Sequence, residues 1–203
     1  MSKLRFVCNS RIIDLYKIGK EKDWAEMESK SLSNQIRWGG MQDDSISVAK
    51  HCVEVSKIVE DLTGGDLQLS YYALHHEIEE AFGVGDIIHE VKHFIFKKDK
   101  TQYDKFTHLL MRQLDLEGIK DPIIKKADLI VGLLEAELLY PGEVTAEFYS
   151  YSDAEDIMPL LDKYRDTVQL PMQDRMKDRK EFMARHYALK SLLDYENTGR
   201  PRC

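Results

Sequence analysis

The segment SISVAKHCVEVSKIVEDL, residues 45–62, carries the pattern that decides the fold class. Its apolar residues recur every three or four positions, which is the spacing of one buried stripe along an α-helix. The stripe consists of Val48, Cys52, Val55, Val59 and Leu62. The pattern therefore predicts a helix over 45–62 with one face in the protein core.

The same helical periodicity continues through most of the chain, and strand signals are almost absent. Further helices are predicted over residues 67–82, 87–98, 101–116, 121–139, 153–168 and 174–195. Gly83 is a candidate stop for the 67–82 helix, while Asp121 and Pro122 suit the N-cap and first position of the 121–139 helix. The sequence predicts a compact all-α domain.

Composition limits the classes of function. The chain has 203 residues, 43% of them hydrophobic, which is enough for one core, and a net charge of −7 argues against a nucleic-acid-backbone binder. The cysteines (Cys8, Cys52 and Cys203) lie too far apart for a zinc knuckle or a disulfide framework, and a reducing compartment fits them best. With no signal-like or membrane-spanning segment, we expect a soluble cytoplasmic protein that binds neither nucleic acid nor membrane.

Four polar side chains on three separate predicted helices suggest a metal site. His51 lies beside the apolar stripe, although a lone histidine is more often a structural core residue. His76 and Glu77 are adjacent, and neighbouring ligands on one helix can both reach an ion that lies between helices. Asp128 enters an apolar stretch, where a carboxylate needs a cation, a metal or hydrogen-bond donors. Together they form a candidate N2O2 set for one divalent transition ion, namely Mn, Fe, Co, Ni or Zn.

The ordered series resembles the HD-domain phosphohydrolase superfamily, in which a histidine, a His-Asp pair and a distant aspartate all lie on helices. It is most similar to the 5′-deoxynucleotidase branch and its phage-encoded relatives. The resemblance covers roughly residues 30–140, and its matching positions are Arg37 and Trp38 in IRWGG, His51, then His76, Glu77, Glu80, Gly85, Asp86 and Lys92 in HEIEEAFGVGDIIHEVK, and Asp128 in KKADLIVGLLEAE.

Two departures from the family pattern stand out. The aspartate of the His-Asp pair is Glu77, and the segment between Glu80 and Asp86 is one residue longer than usual. A register with His75 and His76 as the pair would place a histidine at the acid position. The register with His76 and Glu77 is preferred because it keeps a glutamate three residues later.

The resemblance implies a single HD-type helical domain over residues 1–203, with its core at about 30–142 and a C-terminal helical extension over 143–203. It implies metal-dependent hydrolysis of the 5′-phosphate ester of deoxyribonucleoside monophosphates, with His51, His76, Glu77 and Asp128 as the metal ligands. Arg37 and Lys92 would neutralise the phosphate. Glu80 and Asp86 would position water or protonate the leaving alkoxide.

Other interpretations stay open at this stage. Trp38 either packs near the sugar or base of a nucleotide substrate or anchors the core. The same scaffold resembles enzymes that release triphosphate from a dNTP, and a degenerate module that binds a nucleotide without turnover is the alternative outside catalysis. A homodimer or higher homo-oligomer is expected from the family. The apolar face of the 174–195 helix, formed by Phe182, His186, Leu189 and Leu193, could pack within or between chains.

Overall fold

The computed structural model describes residues 5–8, 11–40, 45–85, 100–141, 154–170 and 173–199. The predicted 87–98 helix lies outside these residues. The prediction of an all-α fold is confirmed, since helices dominate the described part of the chain. The sequence analysis missed one antiparallel hairpin, in which β1 (Arg5–Cys8) pairs with β2 (Arg11–Asp14).

The α-helices of the described residues follow the predicted order, with one addition near the N-terminus. They are α1 (Trp24–Leu32), α2 (Val48–Leu62), α3 (Leu67–Leu74), α4 (Lys100–Leu114), α5 (Pro122–Leu139), α6 (Ala154–Arg165) and α7 (Arg175–Thr198). The helix α1 was not predicted. Short 3-10 turns lie at Leu15–Lys20, Arg37–Gly40 and Glu117–Lys120, and a π-helical segment lies at Glu80–Val84.

Local chemistry explains where α2 and α5 begin. The Ser47 hydroxyl accepts a hydrogen bond from the Lys50 amide at 3.1 Å and caps α2, so the helix starts three residues after the predicted residue 45. Asp121 caps α5 by accepting from the Ile123 amide at 2.9 Å, and Pro122 occupies the first turn, as predicted. These caps fix the ends of the two helices that carry His51 and Asp128.

The prediction of one continuous helix over 67–82 is wrong. The helix α3 ends at Leu74, residues 75–77 form a turn, and a π-helical segment begins at Glu80. The side chain of His75 is completely buried and hydrogen-bonded to groups on two other helices, so tertiary contacts override the local periodicity. Gly83, with φ of 154°, lies inside the π-helical segment rather than at the end of an α-helix.

The helix α2 lies at the centre of the packing. It contacts α3, α5 and α7, and α7 also contacts α1 and α3. Phe182 and Leu189 of α7 are buried in the same apolar cluster as Val48 and Cys52, so the apolar face of α7 packs within the chain. In the described part of the chain, no helix is both long and apolar enough to cross a membrane.

Polar contacts fix α7 against α2 alongside the apolar ones. The Ser47 hydroxyl donates to Asp178 at 2.7 Å, and Lys50 donates to Glu181 at 2.8 Å. Farther along, Arg185 donates to the Ser56 hydroxyl at 3.1 Å. These contacts are spaced along both helices, so they define the register in which α7 lies on α2.

The position of α7 leads to a stability prediction. Phe182→Ala should lower the free energy of unfolding by about 3–5 kcal/mol, because it opens a cavity in a packed core. Met176→Ala on the same helix should change it by no more than about 0.5 kcal/mol, because the Met176 side chain is 62% exposed. Urea unfolding followed by circular dichroism measures both values. Equal effects would contradict the packing of α7 described above.

Candidate metal centre

Four side chains converge on one point between α2, α5 and the turn after α3. His51 comes from α2, His76 and Glu77 from the turn, and Asp128 from α5, and one ligand atom from each lies within 4.8 Å of all the others. The two histidines are buried, whereas Glu77 and Asp128 are partly exposed. The group can therefore hold one metal ion and remain open to solvent on its carboxylate side.

Hydrogen bonds at Nδ1 set the orientation of both imidazole rings. His76 Nδ1 lies 2.7 Å from the carbonyl oxygen of Ala73, which can only accept, so Nδ1 carries the proton. His51 Nδ1 donates to Glu135 at 2.8 Å. Both rings therefore direct Nε2 towards the centre while Nδ1–H is hydrogen-bonded, which is an arrangement typical of metal-binding histidines.

The Nε2 atoms of His51 and His76 are buried, and neither makes a hydrogen bond of acceptable geometry. Their neighbours are carboxylate oxygens: Asp128 Oδ1 lies 2.9 Å from His51 Nε2 and 3.8 Å from His76 Nε2. Glu77 Oε1 lies 3.6 Å from His76 Nε2. Because a nitrogen lone pair and a carboxylate oxygen repel each other, this arrangement calls for a cation between them.

The protonation behaviour of the group supports the same conclusion. Burial alone would lower the pKa of both histidines, but Glu135 and Asp128 outweigh burial at His51, and Cys52, Asp128 and Glu77 outweigh it at His76, so the pKa of each histidine is raised. Burial would raise the pKa of Asp128, but the two imidazoles hold it well below its usual range. The centre thus attracts positive charge, which a proton or a divalent ion can supply.

The sequence analysis missed Glu135, which organises one side of the centre. Its carboxylate is completely buried and accepts hydrogen bonds from His51, from Arg37 Nε at 3.1 Å and from Trp38 Nε1 at 3.1 Å. Burial alone would raise the pKa of Glu135, but Arg37 and His51 lower it to about 2. One signal could have identified Glu135: it follows Asp128 by two helical turns and so shares its face of α5.

The predicted Arg37–Trp38 pair lies beside the centre on a strained turn. Trp38 has φ of 61°, and Gly39 and Gly40 also have positive φ values. This left-handed backbone conformation raises the free energy of the folded state for a non-glycine residue such as Trp38. Backbone strain of this kind is typical of functional turns. The bond to Glu135 and an edge contact with the Tyr140 ring, whose centroid is 5.9 Å away, hold the Trp38 ring in place.

Of the remaining predicted site residues, the structure describes Glu80 but not Asp86 and Lys92. Glu80 lies in the π-helical segment, is 4% exposed, and its backbone carbonyl accepts from Gln35 Nε2 at 3.0 Å. Glu80 is not one of the four converging residues. Asp86 and Lys92 lie outside the described residues, so their predicted roles remain predictions.

His75 faces away from the metal centre. Its Nδ1 lies 2.6 Å from Glu28, and its Nε2 lies 3.0 Å from His186 Nδ1. Burial raises the pKa of Glu28 well above its usual value and lowers the pKa of His75 and His186 to about 3, so burial favours the uncharged form of each of these groups. The pair at the metal centre is therefore His76 with Glu77, rather than His75 with His76.

No established protein family matches this sequence, and no curated protein matches it significantly. Functional interpretation therefore depends on the geometry of the centre and on the spacing of its motifs.

The orientation of His51 leads to a prediction about metal affinity. Glu135→Gln should weaken metal binding by about 10- to 100-fold, because the amide cannot accept from all three donors and the His51 ring loses its fixed orientation. Glu137→Gln is the matched control, because Glu137 lies on the same helix but binds Arg165 near the surface. Calorimetric titration with Mn²⁺ measures both variants. Equal affinities in the two variants would contradict the role of Glu135.

The centre should also couple metal binding to stability. Mn²⁺ or Co²⁺ at about 100 times its dissociation constant should raise the free energy of unfolding by about 2.7 kcal/mol, because the ion binds only the folded chain. A chelator should reverse the effect. The shift should vanish in His76→Ala, which removes one of the four ligands, and a thermal melt with and without metal tests this. A shift of unchanged size in that variant would place the bound metal elsewhere.

Proposed function

We propose that this chain is a metal-dependent phosphohydrolase of the HD type that removes the 5′-phosphate from deoxyribonucleoside monophosphates. The observation that carries the proposal is the pair of buried Nε2 atoms of His51 and His76, which face two carboxylates and make no hydrogen bond. A structural histidine would instead satisfy both ring nitrogens. The ordered spacing of the motifs, which resembles the 5′-deoxynucleotidase branch, supports the choice of substrate.

The donor set fits one divalent transition ion held by His51, His76, Glu77 and Asp128. Such an ion supplies Lewis-acid chemistry, which polarises a phosphate oxygen and makes water a better nucleophile. The extra methylene of Glu77, compared with the family's aspartate, does not carry its oxygen out of reach of the other ligand atoms. This favours a working centre over a degenerate one.

The surrounding residues suit a phosphate ester. The Arg37 guanidinium is anchored by Glu135, its side chain is 15% exposed, and it can bind phosphate oxygens beside the centre. Trp38 and Tyr140 form an aromatic pair next to Arg37, where a sugar or base can pack. Glu80 and Asp86 are proposed to handle the proton of the water or of the leaving alkoxide, and Lys92 to bind the phosphate.

Two other functions remain in competition. A triphosphohydrolase would cleave the same type of ester but release triphosphate from a dNTP. A nucleotide-binding module would bind substrate without turnover. The open carboxylate side of the centre favours hydrolysis, because substrate and water need access to the ion.

A product assay separates the three functions. The protein is incubated with a panel of dNMPs and dNTPs in Mn²⁺ or Co²⁺, and the phosphate products are identified. Orthophosphate from dNMPs is expected. Triphosphate from a dNTP would support the first alternative, and a lack of turnover with retained nucleotide binding would support the second.

Variants then link activity to the centre. Asp128→Ala should reduce kcat by more than about 100-fold, because the ion loses a direct ligand. Asp162→Ala is the control, because the Asp162 side chain is 73% exposed and pairs with Arg165 near the surface. Circular dichroism confirms that both variants are folded. Unchanged activity in folded Asp128→Ala would overturn the proposed site.

A further inference from the structure

A second buried polar system lies next to the metal centre, and the proposed reaction does not use it. It consists of Glu28 on α1, His75 at the end of α3 and His186 on α7, which are 0%, 0% and 3% exposed. The Glu28 carboxyl lies 2.6 Å from His75 Nδ1, and His75 Nε2 lies 3.0 Å from His186 Nδ1. Three helices therefore meet through the His75 ring.

Three aromatic side chains pack around the His75 ring, in addition to these hydrogen bonds. The ring centroids of Trp24, Tyr71 and Phe182 lie 4.9, 4.7 and 5.5 Å from the His75 centroid. Both ring nitrogens have partners, and any rotation of the ring would break two buried hydrogen bonds. The His75 side chain is consequently held in one position.

The backbone transmits this constraint to the metal ligands. Residues 75–77 form a turn that interrupts the helix after Leu74, so the helical hydrogen bonds are not continuous through His76 and Glu77, although the Glu77 carbonyl accepts from the Glu80 and Ala81 amides at 3.0 and 3.3 Å. Local contacts do exist, such as the bond from the Ile78 amide to the His75 carbonyl at 3.2 Å. The two ligands follow directly after His75, so the placement of His75 constrains the backbone from which they leave, and the bond from His76 Nδ1 to the Ala73 carbonyl then orients the His76 ring.

We propose that Glu28 and His186 are positioning residues for the metal centre. By holding the His75 ring from α1 and α7, they fix the turn that presents His76 and Glu77 to the ion. This inference rests on the proposed function, since it requires a metal at that centre. Glu28 and His186 do not touch the ion; they act through His75.

The donor pattern of this chain suggests a conservative variant that should keep its geometry. Burial raises the pKa of Glu28 well above its usual value, which favours the neutral carboxyl. In that form the O–H can donate to His75 Nδ1, and His75 Nε2–H can then donate to His186 Nδ1. Glutamine at position 28 can donate to His75 through its amide, whereas leucine fills a similar volume without a donor. Glu28→Gln should therefore preserve the position of the ring, and Glu28→Leu and His186→Leu should release it.

The test uses Co²⁺ alone, titrated into the full-length protein and followed by calorimetry and visible absorption. The absorption spectrum of bound Co²⁺ reports the arrangement of its ligands, which a loss of stability alone does not change. Glu28→Leu and His186→Leu should weaken Co²⁺ binding by about tenfold and alter the spectrum. Glu28→Gln should retain both the affinity and the spectrum of the unaltered protein.

Met27→Ala is the matched control. Met27 neighbours Glu28 on α1 and is 2% exposed, but it belongs to the apolar core and not to the hydrogen-bonded chain. This variant should lose stability yet bind Co²⁺ with an unchanged spectrum. If Glu28→Leu does not fold, His186→Leu at the outer end of the chain provides the same comparison.

The outcomes separate a failure of the positioning role from a failure of the proposed metal-dependent function. If the unaltered protein binds Co²⁺ and the folded leucine variants bind it with the same affinity and spectrum, the positioning role is overturned and the metal centre stands. A spectrum altered equally by Met27→Ala would also overturn it. If the unaltered protein binds no Co²⁺ at this centre, the proposed function and this inference fall together.

Discussion

The buried carboxylate of Glu135 is the constraint on which the centre depends. A charge with no exposure to water is tolerated only when donors surround it, and Glu135 receives hydrogen bonds from His51, Arg37 and Trp38. These donors come from α2 and from the strained turn that precedes it. Any shift of α5 against α2 would leave a buried charge unpaired, so the electrostatics of one residue keep His51 on α2 and Asp128 on α5 aligned.

The adjacent residues His75 and His76 divide the interior into two polar systems. His76 turns towards α2 and α5, where carboxylates attract a cation. His75 turns towards α1 and α7, where it joins a buried hydrogen-bonded chain with Glu28 and His186. A regular helix over residues 67–82 would continue the backbone ladder through both positions, and the observed turn replaces that ladder with side-chain contacts. The end of α3 at Leu74 thus follows from the burial of two adjacent histidines whose partners lie on different helices, those of His75 on α1 and α7 and those of His76 on α2 and α5.

The sequence predicts the parts of this structure that depend on local pattern. Periodicity gave the all-α class and the helix α2, and cap chemistry placed the start of α5 at Pro122. The four converging residues were identified because their spacing matched a motif. Glu135 was missed because its partner His51 lies 84 residues away in the chain, and the spacing from Asp128 that places Glu135 on the same face of α5 does not by itself reveal that contact. The break after Leu74 was missed for the same reason, since His75 meets its partners 47 and 111 residues away.

The backbone at position 77 helps to determine where the Glu77 carboxylate lies. Its carboxylate oxygen lies close to His76 Nε2 and within reach of the other ligand atoms, although glutamate is one methylene longer than the aspartate of the resembled family. The position of a ligand atom depends on both side-chain length and the point where the side chain leaves the backbone. Glu77 leaves from a turn that the buried His75 ring holds in place. The position of the Glu77 carboxylate therefore depends both on the extra methylene and on the turn from which the side chain leaves. Side-chain length alone does not explain why a glutamate fits at this position.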